Sequence, residues 1–206
     1  MTKPEKSKQP QYSQRIDPRE FGTWRAGIAN PEMQALFGEL IGDWVHIEEA
    51  MIDFLDLLLY PDADAKLEIN KKSRGFSPGQ QIFRPLGSNG ARVKVMSALL
   101  RFFPGNDRRK NDPSYEAVIS EFQSLTNLRN DYLHGLWWTK ANGAVYLQTE
   151  NVEISIFNRK RPIPKKDFEI FLKRCSALRR TIDALELKEY RASDERRAEL
   201  AKFRHR

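Results

Sequence analysis

Arg129, Asn130 and His134 have the types and spacing for acid–base chemistry beside an anion. An imidazole takes or gives a proton near neutral pH. A guanidinium offers forked donors that match a phosphate. The amide of Asn130 could orient the ring or bond a phosphate oxygen. Asn130 and His134 are spaced i,i+4, so on a helix they are surface neighbours. A plainer reading stands beside this one. A histidine near a helix C-terminus is favoured by the macrodipole when charged, and a lone one is usually a helix stop.

The helix that carries these residues should run from about Ser114 to His134. Ser114 is the expected cap, and Gly135 sits where a C′ glycine belongs. At about 100° per residue, Val118, Phe122, Leu125, Leu128, Tyr132 and Leu133 share one apolar arc. Arg129 falls near the middle of that arc. Asn130 and His134 lie about 100° and about 140° further round. A guanidinium on an apolar arc needs a partner. The first long helix offers one, because its seam reads Phe37, Ile41, Trp44, Glu48, Met51, Leu55, Leu58. The expectation is that Glu48 meets and orients Arg129, with Glu49 as the fallback. The alternative is a Glu48 that reaches solvent at the bundle edge.

The other elements follow from periodicity and punctuation. The first helix starts near Pro31, with Asn30 as cap, and runs to about Tyr60, where Pro61 stops it. Asp62 to Gly90 is a long Gly- and Pro-containing connection. A second helix runs from about Ser88 to Phe103, with Val93, Met96, Leu99, Leu100 and Phe103 inward. Pro104 to Pro113 is a charged loop before the Arg129 helix. Leu136 to Phe157 is rich in aromatic and β-branched residues and holds Asn142-Gly143, so it reads as a two- or three-strand meander. A basic link, Arg159 to Lys166, leads to a fourth helix on which Phe168, Phe171, Cys175, Leu178, Ile182 and Leu185 step by three and four. The fold class is therefore mostly α, with a small β insertion at about 136–157. Residues 1–22 read as a flexible basic tail, 23–188 as one helical domain, and 189–206 as a charged extension with little to bury.

Composition narrows the function classes. A 206-residue chain with 40% hydrophobic residues can bury a core, and its net charge of +7 suits a polyanion partner without requiring one. The longest apolar run, Phe54 to Tyr60, is interrupted by Asp56 and is too short to span a bilayer. The first residues have no apolar core of a secretory signal, and the single cysteine, Cys175, excludes an internal disulfide framework. A cytoplasmic location is expected.

The segment Arg129-Asn130-Asp131-Tyr132-Leu133-His134-Gly135 resembles the signature of HEPN domains. In that family an Arg is followed by a polar residue, and a His comes four to six residues later. The helix order from Pro31 to Leu187 is similar as well, whereas the strands after Gly135 depart from a minimal bundle. The resemblance implies a four-helix up-down bundle and a homodimer whose motif helices face each other. It implies metal-independent RNA cleavage, with Arg129, His134 and Asn130 as the catalytic set and Glu48 and Asp131 in support. Defence or toxin-antitoxin roles are implied too, the latter with an antitoxin protein as partner. The competing reading is a non-catalytic HEPN-like module that binds RNA or protein. A third is an unrelated bundle in which Arg129 and His134 are structural.

Further RNA contacts are expected from Trp137 and Trp138 by base stacking, with one of the two facing the core. The clusters Arg108-Arg109-Lys110 and Arg159-Lys160-Arg161 are candidate phosphate contacts, though such clusters are more often simply solvated. Cys175 reads as a small core residue, and His46 and His205 stand isolated. No metal-ligand spacing, Walker loop or nucleophile elbow is present, so no cofactor is expected.

Overall fold

A computed structural model describes residues 24–60, 77–149 and 160–204. The expected 1–22 tail, much of the 62–90 connection, the last part of the meander, Arg159 and His205 lie outside the described residues. The protein is mostly helical with a small antiparallel sheet. The helices are α1 (Pro31–Leu59), α2 (Pro78–Phe83), α3 (Asn89–Phe102), α4 (Asp107–Lys110), α5 (Pro113–His134) and α6 (Lys165–Arg204). The strands are β1 (Trp24–Ala26), β2 (Leu136–Lys140), β3 (Val145–Gln148) and β4 (Lys160–Pro162), paired antiparallel in that order. The chain divides into two compact units, Met1–Phe37 with Arg129–Phe168, and Gly38–Leu128 with Glu169–Arg206.

Helix ends follow local chemistry. Asn30 Oδ1 accepts from the amides of Glu32 and Met33, at 3.0 and 3.2 Å, and Pro31 supplies a first turn that needs no donor. Ser88 Oγ accepts from Ala91 N at 3.2 Å at the head of α3. At α5 the expected cap was Ser114. Asp112 does this instead, its Oδ1 accepting from Ser114 N at 3.0 Å. A carboxylate suits that position because the positive end of the helix dipole lies there. The Lys188 ammonium, hydrogen-bonded to the other oxygen, is the main cause holding Asp112 below the ordinary carboxyl range.

In the first unit, two strands lie outside the expected meander. β1 is only three residues long and shows no alternation to read. β4 falls in the stretch expected to be a basic link. The β2–β3 turn follows the Asn142-Gly143 signal, with Gly143 at φ +82 and its amide on Lys140 O at 2.9 Å. Backbone of that sign favours glycine.

In the second unit, the buried line along α1 is Leu40, Trp44, Ile47, Met51, Phe54, Leu55 and Leu58. Ile41, expected inward, is 44% exposed. Trp44, Met51, Leu55 and Leu58 are buried as expected, and packing fills the neighbouring positions with Leu40 and Ile47 in place of Ile41 and Glu48. Trp44 stacks on Phe122 with ring centres 5.7 Å apart. On α3, Val93, Met96 and Leu100 are buried, but Phe103 is 37% exposed because the chain leaves the helix there in an extended conformation.

Helix α6 carries Phe168, Phe171, Cys175, Leu178, Ile182 and Leu185 inward, as their spacing requires. Burial pushes the Cys175 thiol up to about 12, so it is a core residue and no nucleophile. The helix then continues through the stretch expected to bury little. Glu189 and Ser193 are each 2% exposed. Glu189 Oε1 accepts from the Tyr115 hydroxyl at 2.7 Å, and Oε2 accepts from Arg108 at 2.5 Å and Arg109 at 3.1 Å. Burial alone would raise this carboxyl. The hydrogen bonds from Tyr115 and Arg109 and the two guanidinium charges outweigh it and hold the group below its ordinary value.

A buried charge that loses its partner costs several kcal/mol. Glu189→Gln is therefore expected to lower unfolding stability by about 3 kcal/mol at neutral pH, measured by urea titration. The folded carboxyl titrates below the unfolded one, so the wild-type advantage is full above about pH 5 and fades as pH falls through the folded value. A difference that stays constant on acidification would contradict this assignment.

Candidate functional site

The residues singled out for chemistry sit at the end of α5, in the first unit. Arg129 and Asn130 are half-buried, and Arg129 Nη1 donates to Asn130 Oδ1 at 3.2 Å. His134 is the last residue of the helix and is exposed. Asp131 is half-buried, and its carbonyl accepts from Gly135 N at 3.0 Å. That bond closes the last turn of α5.

Gly135 is required there for a different reason from the one expected. It does not adopt a positive φ. A Cβ at 135 would instead lie 2.5 Å from Leu147 Cδ1, 2.6 Å from Asp131 O and 3.0 Å from Gln148 O. The chain turns directly from α5 into β2, and β3 crosses close above the turn. Only a residue without a side chain leaves room for it.

β2 is then locked to the helix that precedes it. Trp137 Nε1 donates to Tyr132 O at 2.8 Å. The Trp137 ring packs 5.6 Å from Phe37 and 5.9 Å from Phe168, with Tyr132 5.2 Å from Phe168. Trp137 and Trp138 are both half-buried, so neither is the single core member expected of the pair. Trp138 lies on the opposite face of the sheet, in register with Ala26 and Tyr146. The Lys140 ammonium lies 5.5 Å from the Tyr146 ring centre. Burial is the main cause that raises the Tyr132 hydroxyl above its ordinary range, so it gives up no proton near neutral pH.

Glu48 Oε1 accepts from Arg92 at 2.8 Å and from Trp44 Nε1 at 3.2 Å, all within the second unit. The cation seated on Glu48 is Arg92. Glu48 stands one position past the buried Ile47, at the edge of the seam rather than within it. The fallback, Glu49, is exposed and faces His46 Nδ1 at 3.4 Å.

The basic clusters divide. Arg109 is 2% exposed and committed to Glu189, Asn106 and the Tyr60 carbonyl, so it is not a surface phosphate contact. Arg108 shares Glu189 but keeps much of its side chain in solvent. Arg161 lies 3.8 Å from Asp167, and its guanidinium is 5.9 Å from the Tyr132 ring centre. Lys160 belongs to β4, opposite Gln148. Among the described residues, no group of three His, Cys, Asp or Glu side chains could hold a metal ion, and no helix is long and apolar enough to cross a membrane.

The residues that sequence reasoning missed are Arg92, Asn106, Tyr115 and Glu189. One of them carried a signal. The three-four ladder on α6 runs 178, 182, 185 and next reaches 189, which places Glu189 on the buried line. In comparisons with known proteins, no family model, no curated protein and no solved structure matches this chain.

Gly135→Ala is expected to lower stability by about 1–3 kcal/mol, as overpacking at a close approach does. Urea titration measures the loss. An unchanged midpoint would show that β3 shifts aside at no cost.

Proposed function

We propose that this chain is a metal-independent endoribonuclease of the HEPN type that works as a homodimer. The supporting observation is the flank of α5, where an exposed His134 follows one turn after a guanidinium held by Asn130. The expected scaffold is the four-helix up-down bundle of that family, and four long helices with strands between the last two suit it.

In this reading two copies of α5 face each other and pool two Arg129 and two His134. One imidazole takes the proton of the ribose 2′-OH, whose oxygen attacks the adjacent phosphorus. The bond from phosphorus to the 5′ oxygen breaks, and the second imidazole, protonated, gives that oxygen its proton. Arg129 stabilises the charge on the phosphate. The products are a 2′,3′-cyclic phosphate and a free 5′-OH. Asn130 acts by aiming Arg129. Exposure of His134 matters because a general acid or base must reach its substrate.

The non-catalytic alternative, a HEPN-like RNA- or protein-binding module, would use the same Arg129–Asn130 pair for binding alone. An assay on mixed RNA in excess EDTA separates the two. The wild type is expected to cleave, and His134→Ala is expected to lower the rate by about 10²–10⁴-fold. Arg129→Ala should also slow cleavage. Equal cleavage by all three proteins would remove the enzymatic reading. Binding of RNA without cleavage would favour the module. Growth arrest on expression, relieved by His134→Ala, would support a defence or toxin-antitoxin role.

A further inference from the structure

A pocket of about 420 Å³ opens between α4 and α6 in the second unit, and it has no part in the chemistry proposed above. Arg109 and Glu189 line it as a buried pair, and Arg108, Glu195 and Arg196 join them, with Gly105 at one edge. Three guanidiniums therefore face two carboxylates. Both oxygens of Glu189 are already taken, one by the Tyr115 hydroxyl and the other by Arg108 and Arg109 together. One positive charge is left over among the lining groups. That surplus charge attracts an entering anion.

The identity of the cations narrows the anion. Guanidinium forks match the oxygens of a phosphate better than those of a halide. Arg108 keeps 55% of its side chain exposed, and Arg196 is exposed, so both can meet a ligand from solvent. Arg109 cannot, because its Nη1 is held by Tyr60 O and Asn106 Oδ1 and its Nη2 by Glu189. It acts as the fixed floor. A volume in the low hundreds of Å³ suits a small molecule, since such sites span roughly 300–1,000 Å³.

We propose that this pocket binds a small phosphomonoester. Arg108 and Arg196 grip the phosphate, and Glu195 accepts a hydrogen bond from a hydroxyl on the remainder of the ligand. The buried Arg109–Glu189 pair keeps Arg108 in place.

The test uses the full chain at low ionic strength, with inorganic phosphate and a 5′-mononucleotide as probes. Each is followed by calorimetry and by the melting temperature. Saturable binding that raises the melting temperature is expected. Tighter binding of the mononucleotide assigns the site to an organic phosphomonoester, and equal binding assigns it to free phosphate. Arg196→Gln alters an exposed side chain and is expected to weaken binding about tenfold or more. Arg108→Gln should do the same, with circular dichroism verifying the fold. Lys94→Gln, at an exposed lysine on α3, should bind as the wild type does. His134→Ala should also bind unchanged, so this site and the nuclease reading stand or fall separately. Absence of saturable binding to the wild type, or equal affinity in Arg196→Gln, overturns the proposal.

Discussion

The close crossing of β3 over the end of α5 governs the first unit. Position 135 has no room for a side chain, since a Cβ there would meet Leu147 and the Gln148 carbonyl. The helix stops at His134, and the next residues leave as β2. That abrupt exit exposes the imidazole at the helix end and turns the Trp137 ring inward against Phe37 and Phe168. The indole N–H bond to the Tyr132 carbonyl then ties strand to helix at a group that a helix end leaves unsatisfied.

The second unit meets a different constraint. It buries ionised groups, and buried charge must be paired and hydrogen-bonded. Glu189 satisfies this through three donors from α4 and α5, while Arg109 reaches the Tyr60 carbonyl at the end of α1. The same side chains that close this network border the pocket with its surplus cation.

Much of the helical architecture was legible. The long apolar ladders of α1, α5 and α6, the Asn30 cap and the Asn142-Gly143 turn all rest on local rules, and local rules are written in neighbouring residues. The short elements were not. β1 and β4 have three residues each and owe their existence to pairing with β2 and β3. The partner of Glu48 was also beyond reach, because Ile41 and Leu40 are equally apolar and only packing shows which of the two is buried.

At the motif itself the division is clear. The sequence alone determined that an arginine, an amide and a histidine share one stretch of helix, because a 3.6-residue period follows from backbone geometry. It also determined that the helix ends at a glycine. Only the tertiary structure decided that Arg92 takes Glu48, and that Gly135 is there for space rather than for its torsion angle. Those outcomes depend on which distant segments come to lie against the helix, and side-chain type at one position carries no record of its neighbour across the fold.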